Sequence, residues 1–125
     1  MRKIIATAIF VFAISIAGAQ TKGFINREKE FSVTAPLVSE HKFYGYEKPD
    51  ERSKKVIIFS RFVGDNKNKY ANLPLGAYVE TANLKPGNRI VFESIEGGFA
   101  KLNFISPGNK PTVFYVNRRY IETAQ

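Results

Sequence analysis

The chain reads as a small all-β protein behind a cleavable leader. Past residue 19, no stretch carries the apolar spacing of an amphipathic helix of ordinary length. Short β-prone runs recur instead, separated by Gly, Pro and Asn turn signals about every ten residues. The chain has 11 Phe and 6 Tyr but no Trp and no Cys, so its core must hold by aromatic and aliphatic packing alone. No internal repeat is evident.

The leader has three parts in order. Arg2 and Lys3 form a basic start, and Ile4 to Ile16 is an apolar run interrupted only by Thr7 and Ser15. Ala17-Gly18-Ala19 supplies the small residues that a signal peptidase requires, so cleavage after Ala19 is expected, with the mature chain starting at Gln20. The apolar run is shorter than the roughly 20 residues that span a bilayer, and no basic stop-transfer cluster follows it. Without cysteine, there is no site for a lipid-modified cysteine anchor. The expectation is an exported protein, periplasmic or secreted, with no membrane span after cleavage.

Of 125 residues, the leader takes 19 and leaves 106, enough for one domain. The chain holds 19 Lys and Arg against 11 Asp and Glu; the leader accounts for two of the basic residues, so the mature balance is 17 against 11, or +6. Such a surface suits nucleic acid, an anionic envelope polymer or plain solubility. Export argues against nucleic acid as the partner.

The elements follow in chain order. Gln20 to Glu30 is polar and reads as a loose lead-in. Phe31, Val33 and Ala35 alternate with Ser32 and Thr34 before Pro36, the pattern of a first or edge strand. Phe43, Tyr44 and Tyr46 form an aromatic patch around Gly45, either a short strand or a covering loop. Lys48 to Lys55 is a charged connection. Val56 to Phe59, with Phe62 and Val63, is strongly β-prone. Gly64 to Leu75 reads as an exposed loop, Ala77 to Ala82 as a strand and Leu84 to Asn88 as a turn. Arg89 to Ile95 and Phe99 to Ile105 pair across a Gly97-Gly98 hairpin, with Ala100, Leu102 and Phe104 on the core face. After the loop Ser106 to Pro111 come a strand at Thr112 to Val116, a helical turn at Asn117 to Tyr120 and a brief last strand from Ile121.

Residues 84–122 resemble the C-terminal half of bacterial SH3-like domains. Leu84-Lys85-Pro86-Gly87 matches the family's turn and Arg89 to Glu93 the strand after it. Gly97-Gly98-Phe99-Ala100-Lys101-Leu102 matches its hairpin, and Tyr115 to Glu122 its closing 3₁₀ turn and strand. The family's usual opening is absent from the first half of the chain. The resemblance implies a small SH3-like barrel over 55–125, with 20–54 as an added N-terminal extension of one or two short strands. An OB-like barrel or another small β fold is the alternative.

Catalytic chemistry finds little to work with. His41 is the one histidine, and Ser39-Glu40-His41 are sequence neighbours rather than side chains that converge in space. One histidine builds no multi-histidine metal site. Glu93 and Glu96 read as solvated acids at a hairpin end rather than a glycosidase pair. The chain is therefore expected to be no enzyme and to take no cofactor.

Binding remains. In peptide-binding SH3-like domains, the hairpin aromatic and the tyrosine of the 3₁₀ turn line a groove, and Phe99 and Tyr120 occupy the matching positions here. In exported bacterial proteins the resemblance implies attachment to a cell-wall polymer or an extended peptide. The candidate contacts are Tyr70, Tyr78, Phe99 and Tyr120, with Lys67, Lys69, Arg118 and Arg119 for an anionic partner. The competing expectation is an accessory or inhibitory subunit that binds an exported protein through the lead-in and the Phe43-Tyr44-Tyr46 patch.

Overall fold

The computed structural model describes residues 20–37, 41–61 and 73–124. The leader lies outside them. Nine strands are described: β1 (Lys22–Ile25), β2 (Phe31–Thr34), β3 (Lys42–Tyr46), β4 (Lys55–Ser60), β5 (Gly76–Tyr78), β6 (Arg89–Glu96), β7 (Phe99–Ile105), β8 (Thr112–Asn117) and β9 (Ile121–Thr123). Two 3₁₀ turns, Thr81–Asn83 and Arg118–Tyr120, complete the described elements. The fold is all-β. Its strands form two sheets, neither closed on itself, in the orders β2-β1-β9 and β5-β4-β3-β8-β7-β6. Among the described residues no helix is long and apolar enough to cross a membrane.

Both sheets turn apolar faces to one core. Phe43, Ile57, Phe59, Ile90, Leu102, Phe114 and Val116 are shielded from solvent almost completely. Burying each such side chain stabilises the fold by about 1.5–3 kcal/mol. The three-stranded sheet contributes Ile25, Phe31 and Val33 to the same cluster, and Phe31 meets Phe59 edge-on at 5.8 Å between ring centroids. The β7 face expected to be buried is the buried one: Ala100, Leu102 and Phe104.

Gln20 to Glu30 is not a loose lead-in. It holds β1, which runs antiparallel to β2 and parallel to β9, with Gly23 opposite both Val33 and Ile121. The Phe31 ring fills the space that a side chain at Gly23 would need, its Cε2 lying 2.5 Å from the position of a Cβ. The loop from β1 to β2 is tied by the Asn26 side chain, which accepts from the Glu30 N–H at 2.8 Å. Lys29 sits there at φ 65°. Its carbonyl accepts from Phe92 N–H at 2.7 Å, docking the loop onto the outer edge of β6.

The aromatic patch is a strand, β3, lying between β4 and β8. A Cβ at Gly45 would overlap the Phe114 ring and come within 2.5 Å of Ile57 Cγ2. The ring of Phe114 therefore sits directly against the β3 backbone. Strands from 20–54 and from 55–125 are neighbours in both sheets. The run expected as one strand over Ala77 to Ala82 is shorter. It leaves the sheet after Tyr78 and turns, so that the Thr81 hydroxyl accepts from Val33 N–H at 2.9 Å on the free edge of β2. At the β6–β7 hairpin, Gly97 and Gly98 have φ of 56° and 82°. Two successive positive values match the right-handed strand twist, and glycine takes them without steric cost.

Candidate functional site

The second 3₁₀ turn, Arg118–Tyr120, organises the side chains most suited to binding. β8 ends at Asn117, whose side-chain oxygen accepts from Arg119 N–H at 3.0 Å and so caps the turn. The turn swings Tyr120 back over β3, where its ring stacks on Phe43 at 5.3 Å and 11°. His41 closes the other side, 5.4 Å from the Tyr120 ring. The His41 Nδ1 is 3.1 Å from the Thr21 carbonyl, so this aromatic stack also reaches the start of β1.

Arg119 joins the turn to the β3–β4 connection. Its Nη2 donates to the Tyr120 hydroxyl at 2.7 Å and to Glu51 Oε2 at 3.2 Å. Asn117 Nδ2 donates to the other Glu51 oxygen at 2.7 Å. Glu51 can meet both because its loop is fixed from within. Ser53 Oγ donates to the Asp50 carbonyl at 2.7 Å, and Asp50 Oδ1 accepts from Arg52 N–H at 2.9 Å. That backbone N–H holds the Asp50 carboxyl below its ordinary value of 3.8. Hydrogen bonding to the Tyr120 hydroxyl, and then the nearby Glu51 charge, raise the proton affinity of Arg119. The Arg119 side chain is still 60% exposed, so its donors are not spent on the protein alone.

Tyr44 of β3 extends this patch, with the buried Tyr46 beside it. The Tyr44 and Tyr46 rings are 6.3 Å apart, and Lys55 Nζ lies 4.2 Å over the Tyr44 ring. Burial pushes the Tyr46 hydroxyl above its ordinary value of 10.0, the Glu51 carboxylate adds to the shift and Arg119 opposes it. Tyr46 faces Tyr115 across the β3–β8 pairing. The Tyr115 hydroxyl is also raised, by desolvation first and then by the nearby Glu96 carboxylate. Glu93 and Glu96 are exposed acids at the hairpin end, as expected, and both approach one lysine. Lys101 Nζ lies 3.7 Å from one and 3.9 Å from the other.

Of the residues singled out by sequence, Arg119 and Tyr120 meet in this patch. Phe99 does not join their ring contacts; it is 9% exposed and faces Asn117 across the β7–β8 ladder. Tyr78 is half-buried against the core, 6.1 Å from Phe59, and burial raises its hydroxyl. Arg118 turns to a separate small cavity. Lys67, Lys69 and Tyr70 lie outside the described residues. Sequence reading missed Glu51 and Asn117. Tyr44 and Tyr46 carried a signal, their two-residue spacing on a β-prone run, but were read only as part of a general interface patch. Among the described residues no three His, Cys, Asp or Glu side chains group as a metal site. The patch offers a planar donor fork among aromatic rings, which suits recognition of planar acceptors.

In comparison with known proteins, no family model matches the chain, and neither a curated protein nor a solved structure matches it significantly.

Proposed function

We propose that the protein is an exported, non-catalytic binding module of the SH3-like type. It contacts a cell-wall polymer or an extended peptide through the patch of Tyr44, Arg119 and Tyr120. The observation that supports this reading most is the Arg119 guanidinium, oriented by Glu51 and the Tyr120 hydroxyl while remaining mostly exposed. A preoriented fork beside aromatic faces loses less freedom on binding than a free arginine. The leader directs the chain to the periplasm or medium, and cleavage leaves Gln20 first. Sedimentation of the purified protein with peptidoglycan at low salt tests the reading. Retention that is lost in Arg119→Glu supports it; protein left in the supernatant overturns it. Intact mass tests export, since retention of Met1 to Ala19 contradicts cleavage.

A second reading, an accessory subunit of an exported protein, draws on the opposite sheet. Phe24 is 42% exposed there, beside a cavity of about 290 Å³ lined by Lys22, Ser32, Thr34 and Glu122. A stoichiometric protein that co-purifies from the native envelope and is lost in Phe24→Ser favours this reading over the first.

A further inference from the structure

The second 3₁₀ turn separates its two arginines. Arg119 goes to Glu51, whereas Arg118 lines a cavity of about 110 Å³ on the other side, between the three-stranded sheet and the β6–β7 hairpin. The floor is buried and aliphatic: Ile25 is 5% and Ala100 1% exposed. Ile121 and the outward-facing Ile95 form the walls. The polar members are Arg118 and Thr123. The Arg118 backbone is held by its N–H donating to the Gly98 carbonyl at 3.0 Å. Among the described residues its guanidinium has no ion pair, since Glu51 is taken by Arg119, Glu122 by Lys22, and Glu93 and Glu96 by Lys101.

We infer that this cavity receives the C-terminal residue of a peptide, with its aliphatic side chain among Ile25, Ile95, Ala100 and Ile121 and its carboxylate on Arg118. The size fits. A water occupies about 30 Å³ of liquid, so the cavity holds roughly four groups of that size, as a valine or leucine side chain requires. The charge fits as well. A guanidinium without an ion pair among the described residues, at the rim of a small pocket walled by Ile95 and Ile121, suits an anion with an apolar body, and a carboxylate takes the fork in two parallel hydrogen bonds. Thr123 adds a hydroxyl donor beside it. An extended chain end supplies carboxylate and side chain from one residue, the spacing that a cavity this small demands. This site lies on the other side of the turn from the Arg119–Glu51 contact.

Methyl and amide NMR titration of the protein, purified as the cell processes it, tests the inference with three probes. These are an acetylated tripeptide ending in valine as the free acid, its C-terminal amide, and isovalerate. The free acid is expected to shift the Ile25, Ile95 and Ile121 methyls saturably, with the amide about ten-fold weaker. Arg118→Gln is expected to reduce the acid to the amide's affinity, and Arg89→Gln, at an exposed arginine outside the cavity, to leave it unchanged. Arg118 is exposed, and the same spectra show that the variant is folded. Equal binding of acid and amide, no effect of Arg118→Gln, or no saturable shift at millimolar peptide overturns the inference. Isovalerate binding as well as the peptide also overturns it, since the site would then take a free acid rather than a chain end. Loss of this titration with peptidoglycan retention intact rejects the cavity alone, and the reverse result rejects the aromatic patch alone.

Discussion

The Tyr120 ring lies almost parallel to the Phe43 ring, 11° off and 5.3 Å between centroids. One face of a surface tyrosine is thereby built into the core, while its hydroxyl remains bonded to Arg119. The two halves of the side chain are separable by mutation. Tyr120→Phe keeps the stack and removes an exposed hydrogen bond, which costs at most about 1 kcal/mol. Tyr120→Ala removes the stack and opens the end of the core, at a cost of about 3 kcal/mol. Urea denaturation of both variants reads the difference. Equal losses would mean that the hydroxyl, not the ring, anchors the turn.

Gly45 sits in the middle of β3 with the Phe114 ring and Ile57 where a side chain would go, and both neighbours are fully buried. Neither can move into solvent. Gly45→Ala is therefore expected to destabilise the fold by about 1–3 kcal/mol, although alanine is the smallest addition possible. The denaturation midpoint checks it. An unchanged midpoint would show that β3 can shift away from β8.

Thr21 is fully buried, and among the described residues its hydroxyl has no hydrogen-bond partner. A buried hydroxyl without a partner costs free energy on folding. Thr21→Val retains the shape and removes the unsatisfied group, so it is expected to stabilise the protein by about 1 kcal/mol. Its backbone carbonyl still meets His41. A lower melting temperature in Thr21→Val would show that the hydroxyl is satisfied in solution.

High pH acts through the tyrosines. Tyr46, Tyr78 and Tyr115 all have hydroxyls held above the ordinary value of 10.0, with burial the first cause in each. The unfolded chain releases these protons first as pH rises. Their contribution is therefore complete below the ordinary value and is lost as pH climbs through the higher folded values. Thermal melts are expected to be flat from neutrality to that point and to fall beyond it. Tyr46→Phe combined with Tyr78→Phe is expected to make the fall shallower. A fall of unchanged steepness would place the alkaline sensitivity elsewhere.

The later strands were legible because each carries its own pattern. β7 runs from Phe99 to Ile105 with its core face on alternate residues, and the turn and last strand follow where Asn117 to Ile121 suggested. β1 was not legible. Its inward positions are Gly23 and Ile25, which make a poor apolar alternation, and its parallel partner lies at the far end of the chain. Local patterns also could not tell that β3 would be central. Tyr44 and Lys55 cover its second face in a way that looks polar in sequence. The candidate patch was half legible. Arg119 and Tyr120 are adjacent and belong to a recognisable turn, whereas Glu51 sits in a charged stretch in which nothing marks one acid above another. Only the folded loop, held by Ser53 and Asp50, brings it to Arg119.

The parallel ladder of β1 with β9 has a consequence in time. Gly23 pairs with Ile121, and Lys22 clasps Glu122 at 2.8 Å, so the first described strand waits for the last. Synthesis delivers the two partners far apart in time. Until the final residues emerge, the β1–β2 hairpin has no strand on its other side, and an isolated hairpin is marginal in water. The three-stranded sheet is therefore completed only once β9 is available to β1.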